Sequence, residues 1–126
     1  MSSLYAIELE GEMIGKTKLE KADPPMGVVF GKIIDLNEKV NYEFIKSYCN
    51  KNEIKLGDDY PEDKFIATGS TIEELKVISP RGIEIKGAGH QISGMDSEGF
   101  EIEIIGIASP FYEEEFPHHV KDYMKE

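Results

Sequence analysis

Residues 100–107, Phe100-Glu101-Ile102-Glu103-Ile104-Ile105-Gly106-Ile107, alternate apolar and charged side chains over most of their length. Only extended backbone sends successive side chains to opposite faces, so this stretch is a strand with one buried and one solvated face. The same period governs the start of the chain. Leu4-Tyr5-Ala6-Ile7-Glu8-Leu9-Glu10 places Tyr5, Ile7 and Leu9 on one side, and Gly11-Glu12 offers a turn into a second run, Met13 to Leu19. Two such runs around a turn make a β-hairpin. A chain that begins and nearly ends this way is committed to an antiparallel sheet.

Between these runs the pattern changes several times. Asp23-Pro24-Pro25 lacks two backbone donors and holds extended φ values, so no strand or helix continues through it. The nearly continuous apolar run Met26-Gly27-Val28-Val29-Phe30-Gly31-Lys32-Ile33-Ile34 then reads as a strand covered on both faces. From Asn41, a good N-cap, Phe44, Ile45, Tyr48 and Cys49 fall on one helical stripe, which predicts a helix over about 41–52. Asn50 to Pro61 is polar and reads as a long connection before Phe65-Ile66-Ala67. Leu75 to Ile78, the Pro80-Arg81-Gly82 turn and Ile83-Glu84-Ile85 predict a second hairpin. Pro117, suited to a first helical turn, opens a C-terminal helix over about 117–125. With 126 residues and no repeat, the expectation is one α+β domain: a mainly antiparallel sheet of about six or seven strands carrying two helices.

Charge narrows the function classes. Twenty-five acidic against fourteen basic residues give a net charge of −11, which repels a nucleic-acid backbone or an anionic membrane and predicts a basic protein as any charged partner. Residues 1–63 carry a net −5 and residues 64–126 a net −6, so the charge belongs to the fold rather than to a tail. Arg81 is the only arginine, which argues against a site for large anionic substrates, since bidentate anchoring of phosphate relies on arginine. Cys49 is alone, so no intramolecular disulfide or cysteine metal cluster forms. The first residues show no basic segment followed by an apolar one, and no run approaches the roughly 18 apolar residues of a membrane helix. A cytoplasmic location is expected.

Candidate sites follow from where reactive residue types gather. Asp58, Asp59, Glu62 and Asp63 form one acidic cluster, and Glu113, Glu114 and Glu115 another; both are candidate partner-binding surfaces, against the plainer reading of a solvated coat. The glycine-rich segment 87–99 holds His90, Gln91 and Ser93, an alternative ligand site should a pocket open there. Its glycines do not have the dinucleotide spacing, and neither Ser93 nor Ser97 stands in a nucleophile elbow, so no catalytic residue is assigned. His118 and His119 are about 100° apart on a helix and far in sequence from His90, so no metal or other cofactor is expected. Cys49 lies on the apolar stripe as a packing residue rather than a nucleophile. Glu101 and Glu103 are what the outer face of an antiparallel strand carries.

The most distinctive stretch is Asp23-Pro24-Pro25-Met26-Gly27-Val28-Val29-Phe30-Gly31. Here, and loosely in its strand-rich second half, the chain resembles small uncharacterised bacterial proteins carrying a D-P-P-M-G-V-x-F-G segment. The resemblance supplies no catalytic residues. The combined expectation is a protein-binding module of the inhibitor or immunity type, acting on a basic toxin or nuclease; the alternative is a small-molecule binding protein or enzyme using residues 87–99 and His90.

Overall fold

The computed structural model describes residues 3–125. Its elements follow in the order β1 (Tyr5–Leu9), β2 (Glu12–Thr17), β3 (Lys21–Asp23), a 3-10 turn (Pro24–Met26), β4 (Val28–Ile34), α1 (Tyr42–Lys51), β5 (Leu56–Tyr60), β6 (Phe65–Thr68), β7 (Leu75–Ile78), β8 (Gly89–Met95), β9 (Gly99–Ile105), α2 (Phe111–Glu115) and α3 (Pro117–Met124). The strands form one sheet in the order β5-β6-β8-β9-β4-β2-β1-β7, with β3 paired to β4 beside that path. Every pairing is antiparallel. The architecture is therefore α+β.

The alternation in β9 does what its sequence dictates. Phe100, Ile102 and Ile104 are buried while Glu101 and Glu103 face outward, and Tyr5, Ile7 and Leu9 of β1 are buried in the same apolar cluster. The β1–β2 turn uses Glu10 and Gly11, both at positive φ (50° and 81°), the backbone that matches the twist of a two-residue hairpin. Helix α1 is capped by Asn41, whose Oδ1 accepts the Phe44 amide at 2.9 Å, and it buries Tyr42, Ile45 and Cys49. It starts and stops within a residue of the sequence expectation.

One edge of β4 is shared between two strands. Strand β4 pairs with β2 only through Ile33 and Ile34, whereas its first half, Val28 to Phe30, pairs with β3. Where the chain leaves β2 for β3 it crosses close over Gly31. A Cβ there would meet Thr17 Oγ1 at 2.8 Å and the Leu19 Cα at 2.9 Å, so only glycine fits.

Several sequence expectations are refined. Among the described residues the sheet has nine strands rather than six or seven, because β3 is only three residues long and β5 lies inside the stretch read as a polar connection. A third helix, the five-residue α2, precedes α3. Strand β4 is covered on one face only: Val29, Gly31 and Ile33 are buried, and Lys32 is exposed. The two prolines make a single 3-10 turn, closed by Gly27 at φ 66°. The second hairpin is rudimentary, since Ile83 to Ile85 returns along β7 through one bridge, Ile78 to Glu84.

Candidate functional site

The acidic stretch 58–63 splits along its strand. In β5 Asp59 turns toward α1, where it accepts the Tyr42 hydroxyl proton and pairs with Lys46 at 3.0 Å. The Tyr42 hydrogen bond and then the Lys46 contact hold its carboxyl below the usual range. Asp59 is thus a clamp between β5 and α1. Asp58, Glu62 and Asp63 remain exposed at the sheet's terminal strand and its turn into β6.

The fold adds residues that are distant in sequence. The β8–β9 turn lies beside the β5–β6 turn, with the Asp96 amide donating to the Lys64 carbonyl at 3.3 Å. Asp96 Oδ1 accepts the Tyr42 amide at 2.7 Å, and Glu98 is exposed in the same turn. Across the outer face of β5, β6 and β8, Tyr60, Phe65 and Met95 stand directly opposite one another. The Tyr60 and Phe65 rings are 5.8 Å apart and Tyr60 is 54% exposed. An apolar stripe ending in an exposed tyrosine is thereby rimmed by Asp58, Glu62, Asp63 and Glu98.

The second cluster, 113–115, is placed elsewhere and used differently. Helix α2 follows the far end of β9, and Tyr112 of this helix donates its hydroxyl to the Val28 carbonyl at 2.9 Å. The seven residues of β9 therefore separate the two clusters, about 20 Å of strand. Glu113 accepts the Ser109 hydroxyl at 2.6 Å, which holds its carboxyl low. The Glu115 side chain is only 8% exposed; its Oε2 accepts the Tyr5 hydroxyl at 2.7 Å, and its Oε1 lies 3.4 Å from the Arg81 guanidinium. Burial, reinforced by Glu115, pushes the Tyr5 phenol far above its ordinary range, so it remains a donor. Glu114 alone of the three is exposed without a protein partner among the described residues. A continuous 113–115 partner surface is therefore not what the fold builds.

Instead, a cleft of about 700 Å3 opens between α3, the start of β1 and the turn holding Arg81. His118 and His119 border it with ring centroids 4.2 Å apart. His119 is tied to the Leu19 carbonyl through Nε2 at 2.7 Å, while burial and then its histidine neighbour depress the His118 pKa. Sequence reasoning missed this cleft. Its signals were the isolated Arg81 and the paired histidines, but Tyr5 and Glu115 are 110 positions apart.

The alternative ligand site assembles only in part: His90 borders a small cleft of about 230 Å3 with Gly87 and Ala88, and neither Gln91 nor Ser93 lines it. His90 points into the core, its Nε2 2.9 Å from the Ile85 carbonyl and its amide on Thr71 Oγ1 at 3.0 Å. Gln91 and Ser93 emerge on the opposite face of β8, across from Glu103 and Glu101. Strand pleating separates the histidine from the two residues meant to work with it. Ser97 lies in the exposed β8–β9 turn, several residues along from His90. Cys49 is fully buried, and burial raises its thiol pKa, the opposite of nucleophile activation. Among the described residues, no helix is long and apolar enough to cross a membrane. Comparison with protein-family models, with curated proteins and with solved structures gives no match.

Proposed function

We propose that the protein is a small acidic module that binds a basic protein through the β5–β6 and β8–β9 turns, as an inhibitor or immunity-type protein covering a basic toxin or nuclease in the cytoplasm. The observation that carries this reading is the Tyr60–Phe65–Met95 stripe inside its carboxylate rim. Protein interfaces concentrate binding energy in a few aromatic anchors and surround them with polar groups that exclude water. Acidic residues around the anchor draw in a basic surface and speed its approach. Of the residues expected to bind a partner, Asp58, Glu62 and Asp63 fill this role, joined by Glu98. Asp59 holds the strand in place behind them.

The test is affinity capture from the source cell with wild-type and Tyr60→Ala baits. Loss of Tyr60 should weaken a basic partner by about 2 kcal/mol or more, roughly thirtyfold, with the melting temperature almost unchanged. A partner retained equally by both baits, or a partner set with no basic protein in it, would refute the reading.

A further inference from the structure

The cleft at the α2–α3 end holds an unusual pairing. A carboxylate buried to all but 8% faces a guanidinium that is 74% exposed and reaches it only at 3.4 Å. Well-formed arginine–carboxylate pairs are shorter, at about 2.7–2.9 Å, and commonly use two parallel hydrogen bonds. Glu115 therefore keeps hydrogen-bonding capacity on Oε1, while Tyr5 fixes Oε2 and with it the direction in which the carboxylate points. Arg81 sits at the opening as a loosely attached cation from the protein's own chain.

The rest of the lining favours the same sign of charge. Among the described residues, Glu20, Glu114 and Asp122 join Glu115, against Lys18 and Arg81. Asp122 has just a 3.9 Å contact with Lys125, and Glu114 is exposed. The volume, about 700 Å3, falls in the range of about 300–1,000 Å3 typical of small-molecule sites and exceeds what a single metal ion or water cluster would use.

We infer that this cleft binds a small organic polycation, a linear polyamine in chemical class, with one ammonium head on Glu115 in the place that Arg81 now loosely occupies and a second along Glu114 and Asp122. The His118 ring forms part of the wall. The inference is independent of the partner-binding proposal, whose residues lie at the other end of the sheet.

The experiment is titration of the whole protein with spermidine at physiological ionic strength, about 0.15 M, read by calorimetry and by amide chemical shifts. One equivalent should bind, with shifts confined to Tyr5, Arg81 and residues 114–122. Arg81→Ala removes the internal competitor and should tighten binding several-fold. Lys64→Ala removes the same charge from the other end and should leave affinity within about twofold. Glu115→Gln should weaken binding about tenfold or more, since a charged hydrogen-bond acceptor is replaced by a neutral one. The amide oxygen can still accept from Tyr5; if that variant nevertheless fails to fold, the Arg81→Ala and Lys64→Ala pair decides alone. Several equivalents bound with shifts spread over 58–63 would show mere counterion accumulation on an acidic protein and overturn the site. So would equal affinities for Arg81→Ala and Lys64→Ala, or no saturable binding.

Discussion

The two ends of the sheet carry similar runs of acidic residues and put them to opposite uses. At the β5–β6 end, three of the four carboxylates in 58–63 reach solvent around an exposed tyrosine, and only Asp59 is bound inward. At the α2–α3 end, Glu115 is bound inward and Glu113 is engaged by Ser109, leaving Glu114 exposed. What separates them is the element underneath. Strand β5 alternates its side chains, sending Asp58 outward and Asp59 inward, and its turn leaves Glu62 and Asp63 in solvent, whereas the short helix α2 rotates its three glutamates through about 200° and brings the last one against Tyr5 of β1. Like charge in a sequence thus says little about like function.

The sharpest way to break this contrast is to truncate one carboxylate at each end. Glu115→Ala strands the Tyr5 hydroxyl in a buried position and should cost about 1–3 kcal/mol of stability. Glu62→Ala touches only solvent and should change stability by no more than about 0.5 kcal/mol. Chemical denaturation of both variants measures the difference; equal costs would mean that the two clusters play one role.

A kinetic comparison comes next in size. Reversing Asp58, Glu62 and Asp63 to lysine should slow association with a basic partner about tenfold at low salt, with the effect shrinking as salt rises. Reversing Glu114 should leave the association rate unchanged. Stopped-flow mixing over a salt series would expose a general, unfocused charge effect if both variants slowed alike.

The smallest effect is the pH dependence of Asp59. Its folded-state pKa lies below the ordinary value of 3.8, so the unfolded chain takes up the proton first as pH falls. The stabilisation is complete above that ordinary value and is lost as pH drops through the lowered folded one. Melting curves of wild type and Asp59→Asn should therefore differ by a constant amount near neutrality and converge in strong acid. Curves that stay parallel throughout would show that the Tyr42–Asp59–Lys46 contact contributes nothing through its charge.

Much of the fold was legible because alternation and capping are local. The strand at 99–105, the first hairpin and helix α1 follow from their own side chains. Strand β5 was hidden, since Leu56-Gly57-Asp58-Asp59-Tyr60 has the composition of a loop and a register shift between Leu56 and Asp58. Its pairing with β6, not its propensity, makes it a strand. The candidate site was half legible for the same reason. Asp58, Glu62 and Asp63 are adjacent in the chain, but Met95 and Glu98 reach them only through the β6–β8 pairing. The fate of Glu115 depended on Tyr5, and no local pattern reports a contact spanning nearly the whole chain.

Strand β5 is also the sheet's terminal strand, paired on one side only. An open edge is a template on which a second copy can add, and the route by which many sheet proteins coalesce into fibres. With Asp58 on it and Glu62 and Asp63 in the turn that follows, a second β5 would meet its own charge, so the carboxylates proposed to draw in a basic partner would also keep identical chains apart. Neutralising them should shorten the lag before fibre growth in concentrated solution.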